Sequence, residues 1–191
     1  MILRIDHVSL AVNNYEKAVK FFVETFGAIP QSHGEDNNLK YYWKIFALGD
    51  LSRFELIKPT EKGSFLDNFL KNREGGIHHL VLQTPDIEMT RKRLETSKIP
   101  YFGYQNYGDR WKELFIHPKD AFGVLLQIAE FKADDWLAPS YKMREGKKWT
   151  VSRNNKEFNL TFAHPGGGKV KLSLSKDETE ELIQDLKKLI H

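Results

Sequence analysis

Residues 5–12 read IDHVSLAV and residues 77–84 read IHHLVLQT. The two strings align without a gap, Ile5 on Ile77 and His7 on His79. The same offset carries Glu55, in RFELI, onto Gln127, in LLQIA. His7 and Glu55 in one half therefore have His79 and Gln127 as counterparts in the other. Self-similarity at a fixed period marks a duplicated structural unit. A unit that repeats a histidine together with a side-chain oxygen points to one metal site on an internal two-fold axis.

Strand periodicity says which side chains share a face with those histidines. In the first string Val8, Leu10 and Val12 point one way, and His7, Ser9 and Ala11 the other. In the second, Leu80 and Leu82 oppose His79, Val81 and Gln83. Phe54 and Leu56 flank Glu55, as Leu126 and Ile128 flank Gln127. Each candidate ligand interrupts an apolar strand and faces away from its greasy side. An ionised glutamate in such a setting is costly unless it is paired or bound to a metal. The competing structural reading pairs Glu55 with Arg53 at a strand edge and leaves the histidines as hydrogen-bonded core residues. The coincidence of both offsets favours the metal. Two imidazoles and two side-chain oxygens suit a six-coordinate divalent ion such as Mn, Co, Ni or Zn.

Outward from these strings, the pattern predicts strand, helix and three strands, twice over. A strand over about 2–12 gives way at Asn13-Asn14, a helix cap, to the helix YEKAVKFFVETFG. That helix places Ala18, Val19, Phe22 and Phe26 at helical spacing and ends at Gly27. Residues 40–48 and 52–58 read as strands joined through Gly49-Asp50, with SHGEDNN as a loop before them. SFLDNFLKN reads as a short helix. In the second half Pro85-Asp86 caps the helix IEMTRKRLETSK, and strands follow near 101–105, 112–117 and 123–131. The fold class is α+β, with paired βαβββ modules over about 1–72 and 73–131. Residues 132–191 form an accessory extension of three strand-like stretches, WTVSR, FNLTFAH and KVKLSLS. A helix follows, capped by Ser175 with Glu178 at the capping-box position. Leu182, Leu186 and Leu189 form its apolar stripe.

Bulk composition removes several function classes. There is no cysteine among 191 residues, which excludes disulfides and thiol catalysis. No apolar run approaches the roughly 18 residues of a membrane span. The opening MILRIDHV enters a strand pattern at once, so the expected compartment is the cytoplasm. The net charge of +3 is uneven. Residues 131–191 hold 12 Lys/Arg and 9 Asp/Glu, which leaves 17 of each for the repeat region. That neutral region has no global attraction for nucleic acid. The basic stretch 142–156, with six cations and one acid, reads as a solvated hairpin. HPGGGK at 164–169 lacks the spacing of a phosphate loop and reads as a glycine turn.

Three segments carry a resemblance: IDHVSLAV, SFLDNFLKNREGGIHHLVLQTPDIE and FIHPKDAFGVLLQI. Through them the chain resembles the vicinal oxygen chelate superfamily, the glyoxalase/bleomycin-resistance fold, over about residues 3–131. Within it the chain looks like the methylmalonyl-CoA epimerases, on GGIHH and on HPK followed by GVL. The resemblance implies a metal-centred cup, a homodimer and a small-molecule substrate such as an acyl-CoA thioester. It places the metal ligands on His7, Glu55, His79 and Gln127. Gln127 departs from the family, whose string there reads like GVLIEL. An amide oxygen can ligate, but it cannot take a proton.

The chemistry the resemblance implies is proton abstraction beside a carbonyl, with Glu55 as one base. Glu35, with Asp36 beside it in SHGEDNN, stands where epimerases place a further acid. His78 is expected to support His79, and His117 to shape the turn before the last strand. Trp43, Tyr107 and Trp111 are candidate cup-lining aromatics. Two other functions share the fold: a glyoxalase I-like lactoylglutathione lyase, and a non-catalytic binding or resistance protein. Four retained ligand-capable residues speak against the latter. An extradiol dioxygenase would want its carboxylate at position 127 rather than at 55.

Overall fold

The computed structural model describes residues 2–49, 52–137, 139, 142–154, 157–164 and 168–190. Strand β1 (Arg4–Val12) leads into α1 (Tyr15–Lys20), whose start is fixed by the Asn14 side chain accepting from the Lys17 amide. The helix continues as a π-turn over Phe21–Thr25. Strands β2 (Ile29–Asp36), β3 (Tyr41–Leu48) and β4 (Ser52–Pro59) complete the first module. After α2 (Asp67–Leu70) the order repeats as β5 (Gly75–Thr84), α3 (Ile87–Thr96), β6 (Phe102–Asn106), β7 (Lys112–Ile116) and β8 (Leu126–Glu130). This is the α+β pair of βαβββ modules that the duplication predicts. Part of the expected turn at Gly49-Asp50, and Pro165–Gly167 of the expected glycine turn, lie outside the described residues.

All eight strands join one curled sheet in the order β2-β3-β4-β1-β5-β8-β7-β6. β1 pairs parallel with β4, β5 pairs parallel with β8, and β1 and β5 pair antiparallel with each other. The two-fold axis therefore falls between β1 and β5. On the outer face of the first module, Leu10, Val12, Phe46, Phe54 and Leu56 pack against Ala18, Val19 and Phe22. On the second, Leu82, Leu114, Ile116 and Ile128 pack with Ile87 and Leu94 of α3. On the inner face, Ala11 and Ile57 meet Leu66 and Leu70, with Tyr41 and Trp43 beside them.

Two expectations need correction. Phe26 is exposed rather than part of the buried stripe. The π-turn alters the rotation per residue after Lys20, so the 3.6-residue spacing no longer carries Phe26 onto the face that holds Phe22. The stretch expected as a loop over SHGEDNN is instead largely the edge strand β2, paired with β3 through Glu35 opposite Tyr42. Its polar residues and Gly34 hide the alternation that would reveal a strand, which is usual at a sheet edge.

The first glycine of GGIHH has a steric reason. Gly75 sits opposite Val12 where β5 crosses β1, and a Cβ there would lie 2.7 Å from the Ala11 carbonyl oxygen. The obstacle is backbone, so the two modules would have to part. Gly75→Ala should lower stability by about 1–3 kcal/mol, in the range of overpacked positions. Urea unfolding followed by circular dichroism reads this directly, and an unchanged midpoint would refute the close-approach argument.

The chain divides into two compact units, Met1–Lys132 and Ala133–His191. The second unit contains the sheet β11-β10-β9, formed by β9 (Trp149–Asn154), β10 (Glu157–Ala163) and β11 (Lys169–Leu174), and helix α4 (Lys176–Lys188). Ser175 and Glu178 close the expected capping box on α4. In the expected apolar stripe Leu182 is half-buried, while Leu186 and Leu189 are exposed. Among the described residues no helix is long and apolar enough to cross a membrane.

Candidate metal centre

The register of the sheet assembles the site at the junction of the modules. Ser9 lies opposite Glu55 across β1 and β4, and Val81 lies opposite Gln127 across β5 and β8. Those two pairs are the same pair, one copy in each module. Ser9 also lies opposite His79 across the two-fold, and His7 opposite Val81. All of these side chains point inward. His7, Glu55 and His79 are buried and can each offer a ligand atom within 4.8 Å of the others. The Nε2 atoms of His7 and His79 stand 3.9 Å and 3.8 Å from Glu55 Oε2.

Partners behind the ring hold each donor in place. Asp6 Oδ2 lies 2.8 Å from His7 Nδ1, so His7 turns its Nε2 toward the centre. Asp6 in turn pairs with Arg53 and Arg4. Burial alone would raise the Asp6 carboxyl, but the His7 hydrogen bond and the two guanidinium charges outweigh it and bring it to about 2. This pairing also disposes of the reading in which Arg53 neutralises Glu55. His78 Nδ1 meets His79 Nδ1 at 2.9 Å, with its ring set against Phe65 and Phe69, which is the supporting role expected of it. Burial, then the nearby His78 and His7, hold His79 down at about 3, so its imidazole is neutral and open to a metal. An imidazole fixed through its second nitrogen by an outer partner is the usual arrangement of a metal-ligating histidine.

Glu55 is the group that most needs an explanation. Burial pushes its carboxyl up, against the opposing pull of His7 and of the Ser9 hydroxyl, which donates to Oε2 at 2.6 Å. Its near neighbours are thus one hydroxyl and two imidazoles. A buried carboxylate facing two imidazoles turned inward by outer partners is a donor set that fits a divalent cation. Gln127, the fourth expected ligand, is buried and neighbours His79.

Sequence reasoning missed one participant, Glu113. From β7 its Oε2 accepts from Gln127 Nε2 at 2.6 Å and from Trp111 Nε1 at 2.7 Å. Burial raises its carboxyl, opposed by these two hydrogen bonds. Glu113 and Tyr41 are electrostatic neighbours of Glu55, so all three share the cup. The other predicted acid does not join them. Glu35 is exposed on β2, and strand alternation sets it opposite in direction to Asp36, whose charge acts on Glu113 and Tyr41. Once the loop becomes a strand, Asp36 rather than Glu35 is on the cup side. Trp43 packs on Gly34 and Trp111 stacks on Phe131 at 4.7 Å, while Tyr107 is exposed. His117 caps the turn before β8 by accepting from the Lys119 amide.

Comparison with known proteins agrees with this geometry. The profile of the Glyoxalase/Bleomycin resistance protein/Dioxygenase superfamily matches residues 6–115. The chain belongs to this superfamily. The ethylmalonyl-CoA/methylmalonyl-CoA epimerase of Cereibacter sphaeroides is 34% identical over 68% of this chain and 99% of its own length. The mitochondrial methylmalonyl-CoA epimerase of Homo sapiens is 30% identical over 66% of this chain and 73% of its own. The crystal structure of methylmalonyl-CoA epimerase from Mycobacterium tuberculosis superposes with a TM-score of 0.62 at 25% identity, covering 73% of this chain and 91% of that one. Within the superfamily the chain falls with the methylmalonyl-CoA epimerases, and its function is epimerase-like. Among the described residues, His7, Glu55 and His79 form a group that could hold a metal.

Proposed function

We propose that the chain is a metal-dependent epimerase that moves the proton at C2 of an alkylmalonyl-CoA thioester such as methylmalonyl-CoA. The observation that carries this reading is the buried Glu55 carboxylate held 3.8–3.9 Å from two inward-turned imidazoles. His7, Glu55, His79 and the Gln127 amide oxygen would hold the ion, with Co, Ni, Mn and Zn all suited to this mix of nitrogen and oxygen donors. A bound divalent ion polarises a carbonyl oxygen as a Lewis acid, which acidifies the neighbouring C–H. In this reading Glu55 takes that proton: the C2–H bond breaks, its electron pair is delocalised toward the thioester carbonyl, and the proton passes to the carboxylate. A solvent proton returned to the opposite face of C2, as the electron pair moves back, gives the other epimer. Without the ion, burial raises the proton affinity of Glu55. The Ser9 hydroxyl fixes which oxygen faces inward. A homodimer belongs to the same reading and is checked by light scattering.

The test is exchange at C2. Methylmalonyl-CoA incubated with the Co-loaded protein in deuterated water should gain deuterium at C2, seen by proton NMR, and both epimers should appear. If C2 stays protonated while the hemithioacetal of glutathione is turned over, the chain is a glyoxalase I-like lyase instead. If neither compound reacts, the cup binds without catalysis.

A further inference from the structure

The pseudo-symmetry of the site breaks at one place, and the break carries information. Ser9 donates to Glu55, but its repeat partner is Val81, which has no polar atom to give Gln127. Gln127 takes its outer partner from β7 instead, where Glu113 accepts from its Nε2 at 2.6 Å. Glu113 is held in turn by the Trp111 indole N–H at 2.7 Å. An amide has one face that can ligate, the oxygen, and one that repels a cation, the NH2. Nothing intrinsic to Gln127 decides which one points at the centre. An ionised carboxylate is acceptor-only, so it admits only the NH2 face. The amide oxygen is left facing away from Glu113, and His79 neighbours this amide.

We propose that Glu113 is a positioning residue that fixes the Gln127 amide with its oxygen toward the metal centre, and so makes a glutamine serviceable as the fourth ligand. This rests on the reading of His7, Glu55, His79 and Gln127 as the ligand set. The chain has in effect divided the job of one ligating glutamate between a neutral ligand and an outer carboxylate. Position 113 supplies the charge and position 127 the donor atom. Trp111 is the outermost member of the relay, since its N–H fixes the carboxylate that fixes the amide.

The probe is Co(II) alone, titrated into apo-protein and followed by its visible absorption bands and by calorimetry. Glu113→Gln, which can turn an NH2 toward Gln127 and free it to flip, should weaken Co(II) binding about 10–100-fold, the usual cost of losing an outer-sphere partner. It should also change the absorption bands. Glu113→Asp, which keeps the charge but shortens its reach, should fall between the two and serves if the first variant does not fold. The exchanged double variant, Glu113→Gln with Gln127→Glu, keeps a donor–acceptor pair with its polarity reversed. It should recover affinity to within a few-fold of wild type and bind Co(II) more tightly than Gln127→Glu alone, in which two carboxylates face each other. A merely structural role for Glu113 would leave the double variant no better than that single one. If wild type binds Co(II) and Glu113→Gln binds it with the same affinity and spectrum, the inference is wrong and the ligand set stands. If the double variant binds no better than Glu113→Gln, the inference is equally overturned. A wild-type protein that takes up no Co(II) overturns the ligand set and this inference together.

Discussion

Replacing His79 by alanine should leave the purified protein without its divalent ion, and His7→Ala should do the same. Each change removes one of only two nitrogen donors from the centre. The loss should exceed the roughly 10–100-fold that an outer partner costs, because a donor is removed outright. His79→Ala also strands the His78 Nδ1, which now meets His79 at 2.9 Å. His7→Ala leaves Asp6 paired with Arg53, so the buried guanidinium keeps its counter-charge and the strand should hold. Elemental analysis of wild type and both variants, purified side by side, gives the answer. A second reading separates metal loss from misfolding. An ion that binds only the native state stabilises it by about 2.7 kcal/mol at a hundred times its dissociation constant. Added Co(II) should therefore raise the melting temperature of the wild-type apo-protein and leave that of either variant unmoved. Metal retained by His79→Ala at the wild-type ratio would remove the nitrogen donors from the proposal, and the enzyme reading with them.

The fold is legible in the sequence because duplication and alternation are both long-range, redundant signals. His7 pairs with His79 without any knowledge of the intervening structure, and Glu55 and Gln127 obey the same offset. The inward face of β1 follows from period two alone. What stays hidden is local. Strand β2 gives no alternation because an edge strand has only one neighbour and little to bury. The π-turn after Lys20 has no compositional signature, so helical spacing sets Phe26 on the wrong side. Glu113 escapes for a subtler reason. It stands two residues before Phe115, which faces Gln127, just as Trp43 stands two residues before Ile45, which faces Glu55. Register therefore makes Trp43 the counterpart of Glu113, whereas the offset that relates His7 to His79 sets Glu113 against Tyr41. The modules slip relative to each other between these strands. An acid replacing an aromatic on the inner face, next to the proposed oxygen ligand that lacks a charge, is visible only once register is known.

Glu55→Gln should separate the two duties given to that residue. An amide oxygen can occupy the ligand position, as proposed for Gln127 across the axis, and the Ser9 hydroxyl can still donate to it. Co(II) should therefore still bind, although more weakly, since the centre loses one negative charge. A glutamine cannot take a proton, so deuterium exchange at C2 of methylmalonyl-CoA should fall by about 10²–10⁴-fold, the range general-base catalysis supplies. Stability should move the other way. Burial is the largest influence on the Glu55 carboxyl and disfavours its charged form. Without metal, the neutral amide removes that penalty, and the apo-variant should melt no lower than apo wild type. A variant that is as stable as wild type, loaded with Co(II) and nearly inactive would assign Glu55 as the base. Exchange at the wild-type rate in the loaded variant would transfer that role to another acid of the cup. Of these, Glu113 is already engaged by Gln127 and Trp111, and Asp36, at the end of an edge strand, accepts from the Asn38 and Leu39 amides. The comparison therefore bears on mechanism as well as on Glu55. On the proposed ligand set, glutamine at 127 leaves one ligand-position carboxylate rather than two, and confines proton transfer from the ligand ring to the Glu55 side.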